Sequence, residues 1–159
     1  MQAKLFSGIM YAQDTVLQQA LEKLQEKFGP IVTKSEIFDF TFTNYYKKEF
    51  GSNLKKLFVV FKKPIERESL PDIKLFTIAL EKQFSEQGKR RINIDPGYIA
   101  LNNVVVATTK ELPHRVYLSK GIFADLQLIL KKGKAETLKH TFADYMANKE
   151  FFIRIRDQV

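Results

Sequence analysis

The segment KLFSGIM, residues 4–10, carries apolar side chains on both faces of an extended chain. Leu5 and Ile9 share one face of this segment, while Phe6 and Met10 share the other. A strand that is apolar on both faces is covered on both faces by other parts of the fold. The segment therefore predicts a central strand in a sheet that is packed on its two sides.

Two segments place apolar side chains at helical spacing, as helices that pack on such a sheet do. The first begins with an N-cap at Asp14 or Thr15 and ends at Gly29, and the second begins near Ser69 and extends to Gly88. Their apolar stripes are Leu17, Leu21, Leu24 and Phe28 in the first, and Ile73, Phe76, Leu80 and Phe84 in the second. Both segments are predicted to form amphipathic helices.

Three further strands are predicted between and after these helices. In residues 31–43 the aromatic residues Phe38, Phe40 and Phe42 alternate with polar ones, which indicates a half-buried strand with an aromatic core face. Residues 57–61 are apolar throughout and predict a second interior strand that ends near Pro64. A short strand follows at residues 92–95, and the Pro-Gly pair at residues 96–97 is expected to end it in a turn.

The resulting order is strand, helix, strand, strand, helix, strand, which predicts a ferredoxin-like βαββαβ core with an antiparallel sheet over residues 1–95. Residues 96–159 are expected to add β-strands and a terminal helix that begins near Asp144. The long strand of this extension should present Ala124, Leu126, Leu128 and Leu130 on one face. We therefore expect one α+β domain, residues 1–159, whose β-rich extension covers the sheet face that the two helices leave open.

Composition limits the classes of function. The chain has 26 lysine and arginine residues against 18 aspartate and glutamate residues, and its net charge of +8 favours an anionic partner. Cysteine is absent, which excludes disulfides, thiol nucleophiles and cysteine-ligated zinc. No apolar stretch approaches the roughly 18 residues of a membrane span, and the short apolar run at the N-terminus does not fit an export signal. The expected location is cytoplasmic.

The residues richest in chemical groups lie between Arg91 and Leu118. Asn93 and Asp95 project from the face opposite Ile92 and Ile94, next to a predicted turn that brings Tyr98 close. An amide, a carboxylate and a phenol at one strand end suit a ligand or metal pocket. The alternative is that Asp95 accepts hydrogen bonds from the backbone of its own turn.

A second polar group follows at the predicted ends of two neighbouring strands. It contains Thr108, Thr109, Lys110, His114 and Arg115, with Tyr117 on the strand face that Arg115 shares. Hydroxyl, ammonium and guanidinium groups are the types that hold a phosphate or carboxylate. The alternative is an exposed hairpin whose charges are solvated.

These two groups lead to the main functional hypothesis, a pocket formed by residues 93–98 and 108–117 that binds a phosphate-bearing small molecule or nucleotide. An enzymatic alternative uses the same pocket, with His114 or Asp95 as general acid or base. Asp125, together with Asp39 and Asp95, is a candidate carboxylate cluster for Mg²⁺ or Mn²⁺, which prefer oxygen ligands. His140 is interpreted as a packed or exposed histidine rather than a ligand.

A third hypothesis is a basic RNA-binding or interaction module. Lysine pairs recur along the chain at residues 47–48, 55–56, 62–63 and 131–132, but they are scattered rather than gathered. No basic and aromatic octamer of the kind used by RNA-recognition motifs is present, and the alternating phenylalanines at residues 38–42 are expected in the core. Nucleic acid is therefore the less favoured partner.

Several segments together resemble the DUF4416 family, a group of bacterial and archaeal proteins of unknown function. They are Lys4–Met10, Phe28–Pro30, Phe38–Tyr46, Asp72–Lys74, Arg91–Tyr98, Ala107–Lys110, His114–Leu118 and Gly121–Asp125. Some members of that family are labelled GTP-binding, so the resemblance implies a nucleotide as one candidate ligand. The sequence has no G-x-x-x-x-G-K-[ST] loop, which excludes a P-loop GTPase.

Overall fold

The computed structural model describes residues 1–159 as an α+β fold with nine strands and five helices. The strands are β1 (Gln2–Tyr11), β2 (Ile31–Lys34), β3 (Phe38–Asp39), β4 (Lys55–Glu66), β5 (Ile92–Ile99), β6 (Asn103–Thr108), β7 (Val116–Ser119), β8 (Ile122–Lys131) and β9 (Lys134–Thr137). The helices are α1 (Asp14–Phe28), α2 (Lys47–Phe50), α3 (Leu70–Gln83), α4 (Ala143–Ala147) and α5 (Lys149–Arg156). None of the helices has the length and apolar content needed to cross a bilayer.

All nine strands belong to one antiparallel sheet. Its strand order is β2-β4-β1-β5-β6-β8-β7, with β3 also pairing to β4 and β9 also pairing to β8. β1 lies inside the sheet between β4 and β5, and every residue of β1 from Leu5 to Tyr11 is buried. The prediction of a central strand with two packed faces is confirmed.

One face of the sheet packs against α1 and α3. Leu5 and Ile9 of β1 join the apolar stripes of both helices in a cluster of 15 buried residues. Both predicted helices are present, but α3 ends at Gln83 rather than extending to Gly88. Glu86 and Lys89 instead bond each other's backbone in a tight turn, which takes the groups that a further helical turn would use.

The other face is covered by α4 and α5. Phe6 packs edge-on against Phe152 and Tyr145 at ring distances of 5.4 and 6.2 Å, in a second buried cluster. The expectation that the β-rich extension covers this face is wrong for its strands. They continue the sheet sideways from β5, because an open strand edge offers backbone groups that a further strand can bond. Only the terminal helices cover the face.

The predicted strand over residues 31–43 is wrong in its length. β2 and β3 pair with two separate parts of β4, and Ser35 lies between them with its hydroxyl accepting the Phe58 N–H at 2.8 Å. After Asp39 the chain leaves the sheet, so of the three alternating phenylalanines only Phe38 packs against the buried core. Phe42 is 45 % exposed and packs on Phe40 at 5.7 Å between ring centres.

β5 does not stop at the Pro-Gly pair, as the sequence predicted, but continues to Ile99. Pro96 is tolerated because pairing with β6 begins only at Gly97, so its missing N–H removes no bond of that ladder. Gly97 is required by close approach: an added Cβ would lie 2.2 Å from the Val105 carbonyl oxygen and 2.6 Å from the Phe6 ring. β4 likewise runs through Pro64 to Glu66.

The single apolar face predicted for β8 is also wrong. The register of β6 with β8 shifts between Val104 and Val105, which leaves Gln127 as the extra residue of a β-bulge. Such a bulge turns the following side chains to the opposite face. Leu126 therefore packs in a small cluster with Ile122, whereas Leu128 packs in the cluster beneath α4 and α5.

Candidate functional site

The sheet is split between β5 and β6. Their pairing covers only Gly97–Ile99, although β1 pairs with β5 from Ile92 onward. On the open edge, the Ile94 N–H donates to Glu81 at 2.7 Å, and the Lys74 ammonium lies 3.4 Å from the Ile94 carbonyl oxygen. Side chains of α3 thus replace a strand neighbour for this part of β5. We call this gap the sheet split.

A cavity of about 540 Å³ opens at the sheet split. Its wall is built by the strands on either side, by α3, by residues 40–46 and by residues 142–144. Because parts of the chain that are far apart in sequence converge here, the cavity depends on the tertiary fold rather than on a local motif. Its volume lies in the range of small-molecule sites.

The basic side chains of the cavity, apart from Lys110, are each paired with a carboxylate. The pairs are Lys74–Asp95 at 3.0 Å, Lys56–Asp144 at 2.5 Å, Arg115–Asp125 at 2.7 Å and Arg90–Glu49 at 2.6 Å. In three of these pairs the basic side chain is less than 9 % exposed. The pairs therefore form a preorganised polar surface, since buried charges are held by their partners.

Asp95 is the centre of a hydrogen-bonded chain. Asn93 donates to Asp95 at 2.8 Å, and Arg90 donates to Asn93 at 2.8 Å. Burial by itself raises the pKa of Asp95, but the positive charges of Lys74 and Lys56 outweigh it and leave the pKa below its usual range. Asp95 is therefore an ionised hydrogen-bond acceptor at neutral pH.

Glu81 is the group of the cavity whose protonation changes near neutral pH. Burial raises its pKa to about 7, while the bond from the Ile94 N–H and the charge of Lys74 act in the opposite direction. The side chain is 7 % exposed, and its carboxylate lies 3.8 Å from the Arg90 guanidinium. This carboxyl can hold or release a proton at the cavity wall.

An aromatic wall, which we define as Phe40, Phe42, Tyr45 and Tyr46, closes one side of the cavity. Tyr46 lies edge-on to Tyr45 at 5.0 Å and to Phe40 at 5.9 Å between ring centres. Burial, followed by the negative charge of Asp95, raises the pKa of Tyr46 to about 12, so its phenol stays neutral. These rings present π-faces beside the charged surface.

Lys110 differs from the other cavity cations because no carboxylate pairs with it. Its ammonium lies 4.8 Å from the centre of the Tyr45 ring and 3.2 Å from the Tyr45 hydroxyl. The hydroxyl of Thr108, two residues earlier in the chain, accepts a hydrogen bond from the backbone N–H of Lys110 at 3.2 Å. An unneutralised positive charge is therefore held at the cavity mouth next to the aromatic wall.

Six of the eight residues that the sequence suggested as ligand contacts line this cavity: Asn93, Asp95, Thr108, Thr109, Lys110 and Arg115. Tyr98 and Tyr117 do not. Tyr98 points to the opposite face of the sheet, where the Arg67 guanidinium lies 5.5 Å from its ring. This follows from the continuation of β5, since side chains alternate along a strand and Tyr98 cannot share the face of Asp95. Tyr117 packs on Phe123 and is 58 % exposed.

The predicted hairpin between residues 108 and 115 is wrong. β6 and β7 are not neighbours, because β8 lies between them and pairs with both. Residues 109–115 therefore cross the end of β8, which brings Arg115 onto Asp125. His114 is outside the cavity and stacks on His140, so this geometry gives it no acid or base role there.

The predicted Mg²⁺ cluster of three aspartates is not assembled. Asp39 is exposed on β3 and lies outside the cavity. Asp95 and Asp125 both line the cavity, but they lie on β5 and β8, which are separated by β6, and the three aspartates do not form a group with metal-ligand spacing. The three side chains therefore do not converge.

Five charged residues of the cavity were not predicted from the sequence: Lys56, Lys74, Glu81, Arg90 and Asp144. A signal existed for two of them: Lys74 and Glu81 each follow a residue of the apolar stripe of α3 and are seven positions apart, which places both on one edge of that stripe. Lys56 belonged to a lysine pair that was interpreted as surface charge, yet it is 6 % exposed. Its ammonium lies 5.4–5.6 Å from three aromatic rings, which no local pattern revealed.

Comparison with known proteins gives one match. A family model described as "Domain of unknown function (DUF4416)" matches residues 1–158. No curated protein matches the chain, and no solved structure does.

Proposed function

The chain belongs to the DUF4416 family, a domain of unknown function, and we propose that it binds a phosphate-bearing small molecule, specifically a nucleotide, in the cavity at the sheet split. The observation that carries this proposal is Lys110, an unpaired cation at the mouth of a cavity whose other cations are paired. A ligand that brings a negative charge to Lys110 gains a favourable interaction without breaking an existing ion pair.

The aromatic wall suits the base of such a ligand. Bases stack on aromatic side chains with about 1–3 kcal/mol each, and this stacking tolerates different bases. Phe42 and Tyr45 are exposed enough, at 45 % and 67 %, to offer ring surface to a ligand. The wall adjoins Lys110, so a stacked base and a phosphate on Lys110 lie within the span of one small molecule.

The polar groups around Lys110 suit the phosphate. The hydroxyls of Thr108 and Thr109 can donate hydrogen bonds to phosphate oxygens, and Lys110 supplies a point charge. On the opposite side, the ionised Asp95 accepts hydrogen bonds from ligand hydroxyl or amino groups. A nucleotide carries all three complementary parts: an aromatic base, hydroxyl groups and a phosphate.

The test is a calorimetric titration with adenosine and guanosine triphosphates at moderate salt. Lys110→Ala is expected to weaken binding by about tenfold, since one exposed charge-assisted contact contributes roughly 1.4 kcal/mol. Lys132→Ala is the matched control, because Lys132 is an exposed lysine outside the cavity and its loss should leave affinity unchanged.

Two outcomes would contradict the proposal. One is equal loss of affinity in Lys110→Ala and Lys132→Ala, which would indicate binding to the diffuse positive surface. The other is binding of RNA alone with a steep loss of affinity as salt rises, which would favour the basic interaction module.

Acid–base catalysis in the same cavity is a second candidate function, and Glu81 favours it. A carboxyl with a pKa of about 7 is suited to accept and donate a proton at neutral pH. Asp95, which the sequence suggested for this role, suits ligand orientation better because its pKa is lowered. A reaction of bound nucleotide would be supported by turnover that Glu81→Gln abolishes while nucleotide affinity is kept. Turnover that survives Glu81→Gln would count against it.

We also propose that residues 1–99 form a ferredoxin-like βαββαβ core. The order β2-β4-β1-β5 and the packing of α1 and α3 on one face support this interpretation. In that interpretation the sheet split lies at the edge where the core meets the added strands.

A further inference from the structure

The only two histidines of the chain meet at one buried carboxylate. His114 lies in the crossing between β6 and β7, and His140 follows β9, yet their rings stack with centres 3.9 Å apart. Asp125 of β8 lies against both rings and is 1 % exposed. Three distant parts of the sequence therefore deliver two imidazoles and one carboxylate to the same point.

The distances between these groups suit ligands of one metal ion. Nε2 of His114 lies 3.6 Å from Oδ2 of Asp125, and Nε2 of His140 lies 3.7 Å from Oδ1. One ligand atom of each of the three residues lies within 4.8 Å of the others. In tetrahedral geometry, two ligand atoms at about 2.1 Å from one ion are roughly 3.4 Å apart. The widest pair therefore has to close by up to about 1.4 Å.

Two hydrogen-bond donors hold the Asp125 carboxylate in a fixed orientation. Arg115 donates to Oδ2 at 2.7 Å and Gln127 donates to Oδ1 at 2.8 Å. The Arg115 side chain is 6 % exposed, and Gln127 is fully buried. Such outer partners orient a ligating carboxylate.

Binding of an ion requires two changes around the histidines. His140 Nε2 lies 2.8 Å from the Leu126 carbonyl oxygen, and a metal would take the place of that bond. The rings must also turn from their stacked arrangement, at 18° between planes, so that both Nε2 atoms point at the ion. The side chains are 29 % and 23 % exposed, which leaves them room to turn.

We propose that His114, His140 and Asp125 bind a divalent first-row transition metal, a site that goes beyond the nucleotide cavity. Imidazole suits Zn²⁺, Fe²⁺, Ni²⁺ and Cu²⁺, whereas Mg²⁺ prefers oxygen ligands only. Three protein ligands leave at least one coordination position open, as in catalytic rather than structural zinc sites. The nearby Arg115 charge opposes the ion, so the affinity is lower than that of a site without it.

The experiment uses tag-free protein, stripped with a chelator, so that these are the only histidines present. Zn²⁺ is titrated by calorimetry, and Co²⁺ is added to record its visible ligand-field absorption. Wild type is expected to bind one ion. His114→Ala and His140→Ala are each expected to weaken Zn²⁺ binding by at least ~100-fold, the upper end of what the loss of an outer partner costs. Asp39→Asn, at an exposed carboxylate outside the cluster, is the control that keeps wild-type affinity.

Thermal unfolding without metal checks that both histidine variants fold, which their partial exposure favours. The proposal is overturned if wild type shows no saturable Zn²⁺ binding, or if the double variant His114→Ala/His140→Ala binds the ion as wild type does. Nucleotide affinity measured in the same variants keeps the two proposals separate, because neither histidine lines the cavity.

Discussion

The two halves of β5 share one neighbour, β1, but have different partners on their other edge. Gly97–Ile99 pair with β6, and an added Cβ at Gly97 would overlap both the Val105 carbonyl and the Phe6 ring. Ile92–Pro96 have no strand there, and the side chains of Glu81 and Lys74 bond the Ile94 backbone instead. Residues Ile92–Pro96 border a cavity lined with charges, while Gly97–Ile99 are packed without space.

This difference shows how a continuous sheet makes room for a site. Where strand pairing stops, the backbone groups of the open edge need other partners, because an unsatisfied buried N–H or C=O costs free energy. Here charged side chains of α3 supply those bonds and face the cavity at the same time. The structural need and the candidate function are therefore met by the same residues.

The paired half should be the most sensitive to substitution. Gly97→Ala places a Cβ against a backbone oxygen that cannot move aside, and we expect a loss of more than about 3 kcal/mol of unfolding free energy, measured by urea denaturation. Gly8→Ala on β1 is the comparison, because its nearest atom is in the flexible Lys56 side chain at 3.1 Å. A loss at Gly97 no larger than that at Gly8 would contradict the close packing described for this half.

The open half should depend on its charged partners. Lys74→Met leaves Asp95 without its cation and the Ile94 carbonyl without a donor, and should lower the unfolding free energy by about 2–3 kcal/mol. Lys120→Met removes a lysine of similar charge whose pair with Asp72 is 55 % and 65 % exposed, so its effect should stay within about 0.5 kcal/mol. Equal effects of the two variants in denaturant titrations would mean that Lys74 does not support the open edge.

A further effect should appear in the pH dependence of stability. The folded pKa of Glu81 is about 7 and its ordinary value is 4.5, so between these values the folded protein keeps a proton that the unfolded chain has lost. Stability from this group is therefore complete below about pH 4.5 and falls as the pH rises from there to about 7, by roughly 3 kcal/mol. Glu81→Gln should remove this slope in denaturant titrations across the same pH range. Glu22→Gln, at an exposed position of α1, should keep it, and a slope that survives Glu81→Gln would assign it to other groups.

Much of the fold could be predicted from the sequence where one local pattern decides the structure. The apolar segment around Leu5 predicted the central strand and the stripe that contains Ile73 predicted α3, and the structure confirms both. Pro96 and Gly97 misled the prediction because a Pro-Gly pair is usual in turns. Whether such a pair ends a strand depends on the partner strand, and that partner lies outside the local sequence.

The candidate site was predictable only in part for the same reason. Asp95 and Lys110 were found because they lie in the part of the sequence that is richest in polar and charged side chains. Glu81 and Lys56 were missed, since each lies in a helix or strand whose exposed positions normally carry charge. Their burial results from where the sheet splits, which depends on pairing between parts of the chain that are far apart in sequence.

The most direct test of the cavity as a ligand site is a nuclear magnetic resonance titration of ¹⁵N-labelled protein with adenosine and guanosine triphosphates. Amide signals of Ile94 and of Thr108–Lys110, on the two sides of the sheet split, should shift together and saturate with one ligand per chain. The Tyr98 amide, in the paired half of β5, should stay unchanged. Shifts spread over the surface lysines, or no shift at Ile94 and Lys110 with either compound, would contradict the account.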